Sequence, residues 1–331
     1  MIVELKNDVS IAKANELAIA TKSILVENEK NILVTYSKVK ELPKELEAYA
    51  DAFFVTDTDL QLASRQYKKE NASVKIGDIE IGGNTNNTLM MTGPCSVESE
   101  EQIETVAKFL IKNDIKVLRA GCYKPRTSPY SFQGMGLEGL QLLAKMREKY
   151  GIKVITEVRD YSHIEEVIEY SDVIQIGAKA MYDQGILRRC GKANKPILIK
   201  RGFGSTLQEF AQAAEFVMSG GNENVILCER GIRTFEMNTR FTLDLCGVAW
   251  LKDKTNRPIV LDPSHALGAR YGIADLSRAC IAMGIDGLLI ETHPDPSVAK
   301  SDAAQQLDFA MFEEMNASLK AVANAVGRVM I

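Results

Sequence analysis

Histidine is scarce in this chain: three in 331 residues, alongside a single tryptophan. Any site that uses imidazole must draw on His163, His265 or His293 and complete itself with other side chains. The six cysteines (Cys95, Cys122, Cys190, Cys228, Cys246 and Cys280) are scattered, and no two form a C-x-x-C pair. At this length that disfavours a disulfide framework and makes reduced thiols the expectation. No apolar run approaches the roughly 18 residues of a membrane span. The opening "MIVELKNDVS" lacks the basic-then-apolar order of a signal peptide. An excess of one charge is missing too. The 40 basic and 44 acidic residues are interspersed and sum to −4. This argues against a general nucleic-acid or anionic-membrane surface and leaves room for a local basic pocket. A cytoplasmic location is the expectation. No internal repeat beyond a strand–helix unit and no low-complexity segment is visible.

What is present is a globular composition, 46% hydrophobic and 25% charged, able to bury a sizeable core. The length suits a barrel of about 250 residues plus a small extra domain. From residue 88 onward, short apolar runs alternate with helical patterns. The runs are "TLMMTG" (88–93), "KVLRA" (116–120), "IKVITEV" (152–158), "DVIQIG" (172–177), "PILIKRG" (196–202), "NVILCERG" (224–231), "PIVLDPS" (258–264) and "DGLLIET" (286–292). Continuous Val/Ile/Leu strands are what a parallel sheet covered on both faces requires. Ser99 with Gln102, Ser162 with Glu165, and Thr206 with Glu209 fit capping boxes at helix starts. The competing architecture is an open doubly wound sheet. Eight evenly spaced units favour a closed (β/α)8 TIM barrel, an α/β fold.

Residues 1–66 read as βαββαβ, the order of a small α+β ferredoxin-like domain, with the barrel occupying 67–331. The elements are "MIVELK", "IAKANELAIATK", "SILVE", "ILVTYS", "PKELEAYA" and "AFFVTD". After the polar linker "LQLASRQYKKENAS", "VKIGDIEIGG" is expected to form a β-hairpin turning at Gly77-Asp78 and closing the barrel bottom.

In this fold the working residues sit where strands run into the following loops. Those positions hold Cys95, Arg119, Glu157, Lys179, Lys200 with Arg201, Glu229 with Arg230, Asp262 with His265, and Glu291 with Asp302 beyond it. Cys95, His265, Glu291 and Asp302 offer sulfur, nitrogen and oxygen donors that suit Zn, Fe, Mn or Co better than Ca or Mg. A second reading stands beside this one. Cys95 is then a buried hydrophobe, Asp302 caps a helix in "KSDAAQQ", Glu291 pairs with a barrel cation, and His265 is a hydrogen-bonded loop residue. His163 is expected at the start of a helix, and His293 is expected to point away from Glu291.

The cations Arg119, Lys124, Arg126, Lys179, Lys200, Arg201 and Arg230 form the other group. Unpaired charge at the ends of buried strands is costly. Several cations at one barrel mouth therefore imply a polyanionic, phosphorylated ligand. Lys124-Pro125-Arg126-Thr127-Ser128 adds two hydroxyls on a stiffened loop.

With these residues in place, the chain resembles the 3-deoxy-D-arabino-heptulosonate 7-phosphate (DAHP) synthases, in the short form related to the 3-deoxyoctulosonate 8-phosphate (KDO8P) synthases. The motifs that carry the resemblance are "GPCSVES" (93–99), "RAGCYKPRTSPYSFQG" (119–134), "ILIKRG" (197–202), "ILCERGIRTFE" (226–236), "LDPSH" (261–265) and "IETHPDP…SD" (290–302). The resemblance implies a metal-dependent condensation of phosphoenolpyruvate (PEP) with erythrose 4-phosphate, the entry step to aromatic amino acid synthesis. The implied divalent-metal ligands are Cys95, His265, Glu291 and Asp302, holding Mn, Fe, Co or Zn. The implied PEP contacts are Arg119, Lys124, Lys200 and Arg230, with Lys179 beside them. Arg126 and Thr127 are implied to meet the aldose phosphate. Lys124 is expected to protonate the new alkoxide, and Asp302 or a metal-bound water is expected to take the proton of the attacking water. Tyrosine or phenylalanine feedback through the N-terminal domain and a homotetramer are implied as well.

Two stretches depart from the family pattern. Lys179-Ala180 stands where the family usually has Arg-Asn, and "ALGARYGI" (266–273) stands where a Gly-Thr-Gly-Lys/Arg run is usual. Lysine keeps the charge and loses the bidentate fork. A KDO8P synthase-like enzyme with another aldose phosphate, and a non-catalytic ligand-sensing barrel, remain as alternatives.

Overall fold

The computed structural model describes residues 1–28, 30–124 and 128–331. The chain begins with β1 (Ile2–Leu5), α1 (Ile11–Thr21), β2 (Ile24–Val26), β3 (Ile32–Val34), α2 (Lys44–Glu47) and β4 (Ala50–Phe54). The four strands pair antiparallel in the order β2-β3-β1-β4, the ferredoxin-like arrangement. Alternation along β1 explains its two-sided burial. Met1, Val3 and Leu5 pack with Ala14, Leu17 and Leu46, while Ile2 joins the cluster that continues into the barrel. Ser10 caps α1 by accepting the Lys13 N–H. The fourth strand starts two residues earlier than the apolar run "AFFVTD" indicates and ends at Phe54.

Next comes the expected hairpin, β5 (Ser73–Ile76) and β6 (Ile79–Gly82), turning at Gly77-Asp78. Its Val74, Ile76, Ile79 and Ile81 are buried against interior barrel residues such as Leu89, Val117, Val173 and Val260. The hairpin thus closes the N-terminal end of the barrel and leaves the opposite mouth for ligands.

The barrel strands are β7 (Asn87–Gly93), β8 (Val117–Arg119), β9 (Lys153–Val158), β10 (Val173–Ile176), β11 (Ile197–Lys200), β12 (Val225–Glu229), β13 (Ile259–Leu261) and β14 (Gly287–Glu291). Each pairs parallel with the next, and β14 closes on β7. A short β15 (Val329–Met330) adds to the start of β7. All eight strands fall within the apolar runs read from the sequence, except that β7 begins one residue earlier, because strands buried on both faces leave no polar alternation to blur them.

The outer layer consists of α3 (Glu100–Lys112), α4 (Leu137–Tyr150), α5 (Ile164–Tyr170), α6 (Gln184–Cys190), α7 (Leu207–Met218) and α8 (Leu245–Lys254), then, beyond the short α9 (Pro263–Leu267) at the barrel mouth, α10 (Ile273–Ala282) and α11 (Phe309–Ala325). Thr206 and Glu209 form a full capping box on α7, and Ser99 caps α3. Two local expectations change. Asp160, rather than Ser162, caps the entry to α5, through a tight turn at Tyr161–His163. Asp302 opens no helix: it sits in a turn with a left-handed φ of 48°. Among the described residues no helix is long and apolar enough to cross a membrane.

The small sheet and the barrel meet at Glu215 of α7. Its carboxylate accepts the backbone N–H groups of Gln61 (3.0 Å), Leu62 (3.0 Å) and Ala63 (2.8 Å). Burial pushes this carboxyl up to about 7, against the pull of the three N–H groups and Arg257. The folded pKa lies above the ordinary 4.5. The stabilising contribution is therefore fully present below pH 4.5 and is lost as pH rises through about 7. The stability advantage of the native protein over Glu215→Gln should accordingly shrink between about pH 5 and pH 8. Urea midpoints of both proteins across that range measure it, and an advantage that grows with pH contradicts the assignment.

Candidate active site

Parallel strands deliver their last residues to one rim, and the register fixes which side chains meet there. Arg119 ends β8, Lys200 ends β11, Glu229 ends β12 and Glu291 ends β14. Cys95, Arg230 and Asp262 follow one or two residues past strand ends. Gly93 ends β7 at φ 149°, where a Cβ would sit 2.3 Å from the Arg119 carbonyl. Only glycine lets the chain turn there and carry Cys95 over the rim. Gly177 keeps room for a neighbouring side chain: a Cβ there would meet the Glu157 carboxylate at 2.3 Å.

A cavity of about 570 Å³ opens at the barrel mouth, and of these side chains Lys200 and Arg230 line it. Lys124, Lys179, Lys200, Arg230, His265 and Asp302, all read from the sequence, line it. Sequence reasoning missed Phe203, Arg233, Arg240 and Phe241, which also line it. Phe203 and Phe241 stack at 5.4 Å. Arg230 lies 4.5 Å over Phe241, and Arg233 lies 4.8 Å over Phe203. The available signal was the alternation of arginine with phenylalanine in "ERGIRTFE" and "NTRF" beyond a strand end. The segment "ALG" seats this wall: the Phe241 N–H donates to the Ala266 carbonyl at 2.9 Å, and Arg240 packs on Gly268. The unusual 266–273 stretch thus supports the cavity.

The cations divide by partner. Arg201 is bound to Glu229 (2.9 Å) and Asp244 (2.8 Å), which makes it a structural ion pair. Lys200 donates to Asp262 Oδ2 at 2.6 Å. Arg119 donates through one nitrogen to Glu291 (2.8 Å) and the Pro94 carbonyl (2.8 Å), while its Nε has no partner among the described residues. Lys124 donates to the Cys95 carbonyl at 3.0 Å. Burial opposes its charge, yet Cys95, Glu157 and Glu291 outweigh burial and raise it, so the ammonium stays protonated. Arg230 is 5% exposed, and neither its Nε nor its Nη1 finds a hydrogen-bond acceptor among the described residues. Buried guanidinium nitrogens left open toward a cavity are strong anion donors. Arg126 and Thr127 lie outside the described residues.

On the other side of the mouth, ligand atoms of Cys95, Glu291 and Asp302 lie within 4.8 Å of one another. Cys95 Sγ is 3.5 Å from Asp302 Oδ2 and 2.9 Å from Ser301 Oγ. His265 adjoins this group on one side, its Nε2 3.5 Å from Glu291 Oε1. Its Nδ1 lies 2.7 Å from Asp262 Oδ2, an ion-pair contact without hydrogen-bond angles. Burial lowers His265, against the pull of Asp262 and Glu291, and so favours the neutral form that ligates metals. Burial alone would raise Asp262 and Glu291. His265 and Lys200 overcome it to hold Asp262 well below the ordinary range, and His265, Arg119 and Lys124 bring Glu291 to about 2. Burial, with Glu291 beside it, pushes the Cys95 thiol up to about 12. A thiol so placed gives up its proton when a cation binds. One buried thiol with two carboxylates and a neighbouring imidazole is a donor set that fits a transition metal or zinc.

The other histidines stay outside this group. His163 stacks on Tyr123 at 3.9 Å. His293 is buried, with its Nε2 3.8 Å from Glu98.

A closed parallel barrel with an anion cavity and an adjoining thiol–carboxylate group at its C-terminal mouth defines a (β/α)8 enzyme acting on anionic substrates. Residues 61–328 match the family described as the DAHP synthetase I family. The chain is 45% identical over 267 residues to phospho-2-dehydro-3-deoxyheptonate aldolase of Thermotoga maritima, covering 81% of this chain and 78% of that protein. It is 33% identical over 253 residues to 2-dehydro-3-deoxyphosphooctonate aldolase of Syntrophotalea carbinolica, covering 71% and 90%. The crystal structure of the Thermotoga maritima DAHP synthase superposes with a TM-score of 0.81 at 38% identity, over 100% of this chain and 99% of that one. The chain belongs to the DAHP synthetase I family and is a transferase of that family. Membership carries the family's reaction, condensation of PEP with an aldose phosphate.

Proposed function

We propose that this enzyme condenses PEP with erythrose 4-phosphate, releasing DAHP and phosphate, in a metal-dependent reaction. The observation that carries the reading is Arg230, buried with two open N–H donors on a cavity wall it shares with Lys200 and Lys124. The 45% identity to a named DAHP synthase, against 33% to a phosphooctonate aldolase, favours erythrose 4-phosphate over a longer acceptor.

Arg119, Lys124, Lys200 and Arg230 hold the PEP carboxylate and phosphate and fix its methylene carbon toward the acceptor aldehyde. Lys179 lines the same cavity, and Arg126 and Thr127 take the aldose phosphate. Carbon–carbon bond formation leaves an oxygen anion at the former aldehyde, and protonated Lys124 supplies its proton. Water adds at the phosphate-bearing carbon and gives one proton to Asp302; the hydroxyl so formed passes its remaining proton to the phosphate as the ketone forms and the carbon–oxygen bond breaks, and phosphate leaves with its bridging oxygen beside Arg230. The cations stabilise charge on that leaving group. Cys95, Glu291 and Asp302, with His265 beside them, would hold one divalent ion (Mn, Fe, Co or Zn), which supplies Lewis-acid polarisation of the aldehyde oxygen.

Phosphate release from PEP with erythrose 4-phosphate, compared with arabinose 5-phosphate, tests the acceptor. Release with erythrose 4-phosphate alone is expected; release with arabinose 5-phosphate alone would establish the phosphooctonate alternative. Release with neither would leave the ligand-sensing barrel.

Residues 1–66 serve as a regulatory domain for tyrosine or phenylalanine, with residues 67–331 as the catalytic unit, in a cytoplasmic homotetramer. The support is a four-stranded sheet with its own apolar cluster on one face, joined to the barrel by Ile2, Val26, Ile32 and Val34 of the other face and by Gln61–Ala63 with Glu215. Removing residues 1–66 should abolish inhibition by either amino acid and spare catalysis. Inhibition that persists in the shortened enzyme rejects this role.

A further inference from the structure

Cys95, Glu291 and Asp302 come from three separate stretches of chain, and only Glu291 lies on a strand. Two adjacent amides hold the stretches together. Gln306 is 0% exposed: its Oε1 accepts the Cys95 N–H at 2.9 Å, and its Nε2 donates to the Ser301 carbonyl at 2.7 Å. Gln305 is 1% exposed: its Nε2 donates to Glu291 Oε2 at 2.7 Å, and its Oε1 accepts from Arg240 at 2.7 Å.

We propose that Gln305 and Gln306 are positioning residues that assemble the Cys95–Glu291–Asp302 set for its cation, an inference that rests on the metal reading above. Each amide sits between a group that can only donate and a group that can only accept. A backbone N–H and an arginine are obligate donors, and a carbonyl and a carboxylate are obligate acceptors. The amide orientation is therefore fixed by chemistry, and neither glutamate nor an apolar side chain reproduces both bonds.

The two bridges do different work. Gln306 ties the Cys95 backbone to the loop that carries Asp302, across 211 residues of sequence. Gln305 occupies Oε2 of Glu291 and leaves Oε1 to Arg119 and His265. It also joins Glu291 to Arg240 on the cavity wall. The backbone around them is consistent with this task. The Leu307 N–H donates to the Glu291 carbonyl at 2.9 Å, and the His293 N–H donates to the Leu307 carbonyl at 2.9 Å. The chain beyond Asp302 is thereby laid along the end of β14. Groups that orient metal ligands typically change affinity about 10–100-fold when lost.

The test is titration of the metal-free, full-length enzyme with Co²⁺, read by dissociation constant and by the near-ultraviolet thiolate-to-cobalt absorption. Gln306→Met should weaken binding about 10–100-fold and diminish the thiolate band, because Cys95 loses its anchor. Gln305→Met should weaken binding and retain the band. Circular dichroism of the metal-free variants establishes folding. If a methionine variant is unfolded, Gln306→Glu and Gln305→Ala carry the same test with the same expected direction. Native enzyme that binds Co²⁺ through a thiolate while folded variants match it within about threefold overturns the positioning role alone. Native enzyme that shows no thiolate-bound Co²⁺ overturns the metal reading and this inference together.

Discussion

Arg230→Ala is expected to lower kcat/KM for PEP about 10²–10³-fold while leaving the fold intact. The magnitude follows from the environment. Burial lowers the Arg230 guanidinium below its usual range, and it retains its charge by virtue of an intrinsically high pKa. Its Nε and Nη1 are open, and its face rests on Phe241. No carboxylate is left unpaired by the truncation, since the neighbouring carboxylates are satisfied elsewhere: Glu229 by Arg201 and Asp262 by Lys200. Stability should therefore change little while anion binding collapses. Arg230→Lys restores charge without the fork and should recover part of the loss. Steady-state kinetics beside a urea midpoint separate these effects. A variant with unchanged kcat/KM removes Arg230 from the substrate site.

Glu291→Ala is expected to act on the fold itself, at about 3–5 kcal/mol. The carboxylate is buried and pairs with Arg119, receives the Gln305 amide, and stands 3.5 Å from His265. Among the described residues its removal leaves charged Arg119 with only the Pro94 carbonyl as a hydrogen-bond acceptor. An uncompensated buried guanidinium costs more than the pair contributes. Glu291→Gln keeps the shape and loses the charge, so it should fall between the two. Denaturant midpoints of the metal-free proteins measure this without any contribution from a bound ion. A loss below about 1 kcal/mol would mean that Arg119 finds another partner or water.

The barrel was legible because its strands are continuous apolar runs, and the mouth residues were legible because strand ends are where side chains escape the core. Arg119, Lys200, Arg230, His265 and Glu291 were found by that rule alone. What stayed hidden depends on loops crossing between strands. Arg233, Arg240 and Phe241 reach the cavity because the loop after β12 folds back on Ala266 and Gly268, and Phe203, on the loop after β11, joins them where its carbonyl accepts the Arg233 N–H at 2.7 Å. Asp302 was read in part as a helix cap, a local rule, but its left-handed backbone serves a tertiary arrangement instead. Gln305 and Gln306 look like ordinary polar residues until their partners, as distant as residue 95, are brought beside them. The fourth strand was misplaced because its faces alternate between half-buried and exposed, which blurs a hydrophobic boundary.

In the proposed reaction the anion cavity and the thiol–carboxylate group act together on PEP and an aldose phosphate. Phosphate release from PEP plus erythrose 4-phosphate, measured before chelation, after exhaustive chelation and after return of Mn²⁺ or Co²⁺, tests it most directly. Release is expected to require both substrates, to disappear in the chelated enzyme and to return with the ion. Undiminished release from fully chelated enzyme, or from a Cys95→Ala variant without metal, would contradict it.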